Sequence, residues 1–457
     1  MKKVAIVGGG ILGCMTANEL LESGCEVFLI TELDGQILNV ISEGVHINNR
    51  LIPQAIGGGG AVWSGLSSLI SRTEWNEAAV NRFVGSEKYD QLFRNYSRAS
   101  YYGFPSLQIL SKFNVLNNHK LYYRSSRMYS FSELLHDRDN LHITRADVKG
   151  FKDNGKNIIL SVYDGNKLYN IEVNKLILAA GGIGNYELLS KAISKFDMAE
   201  INLHLKSIVA KVKFTSKGLE YADAVRYYSD KGLVTYLGYV GGQSEHYLQV
   251  LPCKWYHNDS FVELLEIRNY LRISGLVGQH GLLNLLKIAV NFKELIRLIR
   301  VTFFSAGPLL VWLFYKVTNL DIKNDHARIV LHMTPNSGSI SSMGDAILIN
   351  QDINEQDVLS ANALLDKYFL YLSSNKYIEK FKSSINPKKF VDSNHFMGTT
   401  VGYLDNLNNG YLSGRIKGFK NIYSIGTSNI WFKNNVNPTF LSMALAFFTI
   451  DEVIDGD

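Results

Sequence analysis

Two side chains in the last part of the sequence have the chemistry of a proton-transfer pair. His395 lies in SNHFMGTT (Ser393 to Thr400), a short way after the breaker Asn386-Pro387 and outside any strong helical pattern. Its imidazole takes up a proton near neutral pH, the property that a general base needs. Asn437 precedes Pro438, which holds it out of a helix and starts one behind it, with Thr439 next. The Asn437 amide therefore stands at a helix N-terminus, facing whatever is bound there. A base and an amide donor together suit removal of a proton from an alcohol. At the other end of the chain, GGGILG (Gly8 to Gly13) has the spacing of a phosphate cradle. Gly8, Gly10 and Gly13 permit a tight turn, close approach to a pyrophosphate, and close packing of helix on strand; Ile11 and Leu12 fall in the same turn.

These residues need elements to hold them. The run Lys2 to Val7, the glycine turn, a helical pattern through Leu21 and a second apolar run from Val27 to Ile30 predict a β-α-β unit. Counting along it puts Thr31 where the ribose-binding acid usually sits and Glu32 one later, so Glu32 is assigned that role. Gly58 and Gly59 belong to AIGGGGAVWSGLSSLISRTEW (Ala55 to Trp75), whose glycines let backbone pack closely on a flat or charged ligand. Residues 76–140 are rich in tyrosine and arginine and read as a lid or an interface insert. LHITRADVKGF (Leu141 to Phe151) leads into an expected hairpin through Gly165. KLILAAGGIGNYELLSKA (Lys175 to Ala192), with Ala180 and Gly181 at its turn, repeats strand, glycine turn and helix. From 216 to 389 the pattern changes to alternating strands with many aromatics, Tyr239 and Tyr247 among them, and a helix starts near Glu355. His246 in GGQSEHYLQV has two readings, a side chain pointing into the cleft and a structural strand residue, of which the second is preferred. NIYSIGTSNIW (Asn421 to Trp431) is a strand ending in a small-residue turn at Gly426 and Thr427. The layout is thus 1–215 with 390–457 as one domain, interrupted by 216–389.

With 457 residues, 46% hydrophobic and 19% charged, the composition is globular and large enough for two domains. A net charge of +5 is too mild to imply nucleic acid. Cys14, Cys25 and Cys253 are too few and scattered for a disulfide framework or a zinc site, which predicts a reducing compartment, the cytoplasm, and no metal. The opening MKKVAIVGGGILGCMTA has the look of a short signal peptide, but cleavage there would destroy the phosphate turn. One segment stands apart. Along 282–316, Lys293, Arg297 and Arg300 share one helical face and Phe292, Leu295, Ile296, Ile299 and Phe303 another. The uncharged run that follows is broken by Pro308 and too short to span a bilayer. Interfacial contact with an anionic membrane on the inner face is the favoured reading, and packing of these helices on a sheet or a dimer partner the other.

The order H-x-x-G-T at His395, a strand with a small-residue turn, and N-P-T at Asn437-Pro438-Thr439 resembles the glucose-methanol-choline (GMC) flavin oxidoreductases. The Ala55 to Trp75 segment resembles the flavin-attachment loop of their pyranose-oxidase branch, with Val62 in place of the histidine that bonds FAD and Gly60 in place of the serine. The resemblance implies an α/β fold in which a Rossmann-like FAD-binding domain is interrupted by an antiparallel-sheet substrate domain with helices, as in p-hydroxybenzoate hydroxylase. It implies non-covalent FAD held by Gly8, Gly10, Ile11, Leu12, Gly13, Glu32, Gly58, Gly59, Ala180, Gly181, Gly426, Thr427, Asn437, Pro438 and Thr439, with Trp63 near the isoalloxazine and the Val148 backbone at the adenine. It further implies oxidation of an alcohol or sugar hydroxyl by hydride transfer to FAD, His395 being the base and Asn437 its partner, and leaves the electron acceptor open. Two departures stand out: Val401-Gly402-Tyr403 where the family has R-M-G, and Ser413 where it has an acid before the turn that keeps Arg415, Gly418 and Asn421. A catalytically inactive scaffold of the same fold in a membrane assembly is the alternative expectation.

Overall fold

The computed structural model describes residues 1–31, 40–45, 66–68, 119–124, 135, 138–193, 196–228, 234–241, 246–252, 325–336, 338–405, 413–430 and 438–456. Among them, β1 (Lys3–Val7) is the centre of a parallel sheet. Its order is β21 (Ile422–Ser424), β10 (Lys175–Leu178), β1, β2 (Glu26–Thr31), β6 (Leu141–Arg145). Because side chains alternate along a strand, Val4 and Ile6 of β1 enter one core while Ala5 and Val7 enter the other. Burial on both faces is why this strand reads as a continuous apolar run. The Val4 side is covered by α1 (Ile11–Glu22), through Met15, Leu20 and Leu21, and by α5 (Pro438–Asp455), through Leu441, Leu445 and Val453. The ends of the chain are tied together there: the Lys2 ammonium donates to the carbonyls of Val453, Ile454 and Gly456 at 2.9, 2.9 and 2.8 Å. A cation at the C-terminal end of a helix satisfies carbonyls that have no partner within it and complements the helix dipole.

A meander of β7 (Asp147–Asp153), β8 (Ile158–Tyr163) and β9 (Leu168–Val173) follows β6. The expected single hairpin through Gly165 is therefore one of two, because Asn154-Gly155 also turns the chain; Gly155 and Gly165 both carry positive φ. A smaller sheet runs β11 (Met198–Glu200), β17 (Ser339–Met343), β18 (Ala346–Asn350), β3 (Val40–Glu43).

The largest sheet is antiparallel. It runs β19 (Ile378–Ser383), β12 (Asn202–Phe214), β16 (His326–Met333), β15 (Tyr247–Pro252), β14 (Val234–Tyr239), β5 (His119–Arg124), β4 (Leu66–Ser68). In addition β13 (Arg226–Tyr228) pairs with β14, and β20 (Val391–Met397) pairs with β12. It takes strands from both ranges read from the sequence: β12 and β20 fall outside 216–389, and β14 to β16 inside. A short helix, α3 (Ser216–Ala224), follows β12. Then α4 (Glu355–Ser374) begins near the expected Glu355 behind a full capping box, Asn354 accepting from the Asp357 N–H and the Asp357 carboxylate from the Asn354 N–H. Its buried Leu364, Leu365, Tyr368 and Leu372 join the core behind the sheet, where Tyr368 lies against Tyr239 of β14 at 4.5 Å between ring centroids.

Between the parallel unit and the strand that carries His395 lies a buried polar network. In α2 (Gly181–Ala192), Asn185 is wholly buried; its side-chain oxygen accepts from the Ala180 N–H at 2.7 Å. Its NH₂ group lies 2.9 to 3.2 Å from the Leu178 and Ile425 carbonyls and the Ser424 and Ser428 hydroxyls. One side chain thus joins the ends of β10 and β21 to the start of α2. Because each group left unpaired in the interior costs about 1 to 3 kcal/mol, Asn185→Leu is expected to lower the unfolding free energy by about 2 to 4 kcal/mol, read from the urea midpoint. Lys2→Met, which strips the carbonyls of Val453, Ile454 and Gly456 of their cation, is expected to cost about 1 to 2 kcal/mol in the same assay.

Candidate active site

The turns after β1, β10 and β21 all lie at the carboxyl end of the parallel sheet, where open α/β sheets bind ligands. Gly8 has φ +115°, and a methyl there would press on the backbone of Ala179 and Ala180; a methyl on Gly13 would overlap the Gly8 carbonyl. These glycines bring strand, helix and neighbouring turn together. Gly10 is different. It is the N-cap of α1, makes no side-chain cap, and has nothing within 4 Å of where a Cβ would lie. Gly181, at φ +77° in the first turn of α2, is open in the same way, and Gly426, at φ +118°, approaches the Leu12 side chain. The structure therefore brings together Gly8, Gly10, Ile11, Leu12, Gly13, Ala180, Gly181, Gly426 and Thr427. The free N–H groups of the α1 first turn and the open ground at Gly10 and Gly181 fit a dinucleotide pyrophosphate. Val148 is buried at the start of β7, next to β6, and Pro438 and Thr439 open α5. Glu32, Gly58, Gly59, Trp63 and Asn437 lie outside the described residues, as does the 282–316 segment.

His395 sits on β20, and the pairing of that strand explains its position. Leu203 faces Phe396 and Leu205 faces Asp392, so residues 393–395 oppose the single residue His204. Such a bulge turns a side chain off the regular alternation of the strand. The strand is fixed to the parallel unit just beyond. Gly182 has no Cβ because one would overlap the Phe396 carbonyl, and the Thr399 hydroxyl donates to the Gly182 carbonyl at 2.6 Å. Gly398 turns at φ +85° and donates its N–H to Thr427. The Thr400 hydroxyl donates to the Asn429 side-chain oxygen at 2.8 Å, and its N–H to the Ser428 carbonyl. The G-T-T after His395 is therefore a positioning device joined to the network around Asn185.

The half-buried His395 does not stand alone. Its Nδ1 lies 2.9 Å from Nδ1 of His204, a buried residue of β12, with the two rings 18° from parallel. His332 of β16 lies on the other side of His204, centroids 5.3 Å apart, and stacks on Tyr247 of β15 at 4.2 Å and 4°. His332 Nε2 is 3.2 Å from the Gln249 side-chain oxygen. Burial, and after it the charge of the exposed Lys206, pushes the His395 imidazole down to about 3. Burial, then Lys206 and His395, brings His332 to about 3 as well. Burial first, and then its neighbours His395, His332, Lys206 and His246, hold His204 well below the usual histidine range. At neutral pH this is a cluster of uncharged imidazoles, the form in which His395 can accept a proton. Sequence reasoning missed His204, His332 and Asn185, and set His246 aside as structural; no motif marks them, since each acts through partners far away in the chain. Among the described residues no cluster of ligating side chains has the geometry of a metal site, and no helix is long and apolar enough to cross a membrane.

No family model matches the sequence, and no curated protein matches it. Solved structures do. The fold is similar to pyridoxine 4-oxidase from Mesorbium loti, with a TM-score of 0.55 and 12% identity over 99% of each chain. It is similar to formate oxidase at a TM-score of 0.54 and 10% identity, and to a new fungal aryl-alcohol oxidase at 0.53 and 11%, each likeness spanning 99% of this chain and 98% of the other. These are oxidases of GMC type. With a parallel Rossmann-like sheet beside a large antiparallel one, and likenesses that span 99% of the chain, this chain has the fold of the glucose-methanol-choline oxidoreductases.

Proposed function

We propose that this protein is a FAD-dependent oxidoreductase of GMC type that oxidises a hydroxyl group of an alcohol or sugar, with His395 as the base that takes the hydroxyl proton. The observation that carries the proposal is a neutral, half-buried imidazole on a strand bolted to the glycine turns of a Rossmann-like sheet. Gly10, Gly181, Gly426 and the first turn of α1 would hold the dinucleotide. Bound FAD supplies the two-electron acceptor that no side chain provides.

The residues of the chain do the rest. His395, unprotonated, accepts the hydroxyl proton as the C–H bond breaks, and the bulge opposite His204 sets the direction of its ring. Asn437, by the N-P-T resemblance, donates to the substrate oxygen. Its position in the sequence directly before Pro438, the first residue of α5, supports that role. The basic and apolar faces of 282–316 extend the proposal to a lipid-linked or membrane-proximal glycan as the substrate. Arg297→Glu combined with Arg300→Glu is then expected to abolish sedimentation with anionic liposomes; equal pelleting of both proteins would refute it.

The decisive experiment is the visible spectrum of the purified protein, followed by anaerobic addition of sugars, nucleotide sugars and simple alcohols. A flavin spectrum that bleaches with one class is expected. His395→Ala should keep the flavin and lose about 10² to 10⁴ in the rate of bleaching; an unchanged rate removes the role of His395, and a colourless protein that cannot be reconstituted with FAD favours the inactive scaffold. The pH dependence follows from the sign of the shift. A base whose imidazole is held far below 6.5 remains unprotonated as pH falls through that value. The acid limb of kcat/KM is therefore expected well below pH 6.5. Lys206→Met, by removing a positive charge, should move that limb upward.

A further inference from the structure

The contact between His204 and His395 joins the two rings through Nδ1 on both sides, so only one of these nitrogens carries the shared proton. Two arrangements exist. If His204 donates, His395 keeps its own proton on Nε2 and presents a donor on the edge of its ring away from His204. If His395 donates, its Nε2 is a bare lone pair on that same edge. Only the second makes His395 a base.

We infer that His204 is a positioning residue that holds His395 in the Nδ1–H tautomer and so makes Nε2 the proton-accepting atom; this rests on the proposed role of His395. Several features support it. His204 is buried in the interior of a strand that is itself paired on both sides, so its ring has no freedom to leave. The near-parallel rings put the two Nδ1 atoms at 2.9 Å, a hydrogen-bond distance. Among the described residues, the groups that act on the pair are Lys206 on the same strand as His204, His332 on β16 and His246, with the Tyr247 ring of β15 beside them. Among these Lys206 supplies a positive charge and none supplies a negative one, so nothing there favours a second proton on His204, which as a neutral ring accepts through Nδ1 with its one proton on Nε2. The proton balance is simple. His395 gains the hydroxyl proton on Nε2 and becomes an imidazolium, while its Nδ1–H goes on donating to the lone pair of His204. The hydrogen bond exists before and after the step, and is stronger once the donor is charged. The opposite tautomer would require both nitrogens to exchange their roles first.

The test is ¹⁵N NMR of the flavin-loaded protein labelled at histidine, with His395 assigned by the loss of its signals in His395→Gln. The expected result is a protonated Nδ1 and an unprotonated Nε2 on His395 in the wild type. His204→Asn, whose side-chain oxygen can accept in place of Nδ1, should keep that pattern; His204→Leu should lose it, giving signals averaged over the two tautomers. With the alcohol that bleaches the flavin, His204→Leu should slow bleaching at least tenfold with little change in the concentration for half-saturation, and His204→Asn should recover most of the rate. A wild-type His395 protonated on Nε2, or a tautomer pattern that His204→Leu leaves unchanged, overturns the inference. Should His204→Leu fail to fold, the wild-type and His204→Asn spectra decide it. The failures are separable: full turnover in His395→Ala removes the role of His395, whereas an inactive His395→Ala beside a wild-type His395 protonated on Nε2 removes only that of His204.

Discussion

The arrangement of this molecule depends on a buried amide. Asn185 has no solvent to fall back on, so its hydrogen bonds are obligatory, and they reach the ends of two parallel strands, the start of a helix and the turn after β21. From Ser424 and Ser428 the network passes to Asn429, and from Asn429 to Thr400, five residues beyond His395. A satisfied buried network is rigid because each member has only one arrangement in which all partners are met. The same bonds that close the Rossmann-like unit therefore fix the strand of the proposed base. The glycine turns and His395 are parts of one structure, although the turns are built on a parallel sheet and His395 on an antiparallel one.

Burial acts on the electrostatics too. Charging any one of His204, His332 and His395 means desolvating a cation beside Lys206, and a second charge would lie one ring away from the first. The cluster is neutral for this reason. In the proposed reaction, protonation of His395 becomes favourable only when something negative appears next to it, as an alkoxide does when an alcohol gives up its proton. A base with a low resting proton affinity is slow to be poisoned by acid, and it depends on the substrate for its driving force.

Much of this was legible in the sequence, and the parts that were not share a cause. Glycine turns are local: Gly8, Gly10, Gly13, Gly181 and Gly426 were readable because the constraint on each arises within a few residues. Pro438 as a helix start and Glu355 as the opening of α4 were readable for the same reason. His204 was not, since it becomes significant only through a cross-strand register that includes a bulge, between residues 191 positions apart. Asn185 passes for an ordinary helix residue until β21 supplies its partners. The departure at Val401-Gly402-Tyr403 has a structural account that no motif would suggest. The segment forms a 3-10 turn, Tyr403 donates its hydroxyl proton to the Met198 carbonyl at 2.7 Å, and its ring lies 3.6 Å from that of Phe196. The position is given to packing.

The order of the parallel sheet has a consequence for how the chain reaches this state. Strand β10 pairs on one side with β1 but on the other with β21, whose residues follow only after the whole antiparallel sheet has been threaded through. Pairings so distant in sequence are slow to form, and until β21 arrives β10 has an open edge. The Lys2 clamp on the last turn of α5 joins residues still farther apart, 451 to 454 positions along the chain. Interactions absent from the folding transition state do little to hasten folding and much to retard unfolding. If the clamp is absent from that state, it acts on how fast the native protein is lost and not on how fast it forms.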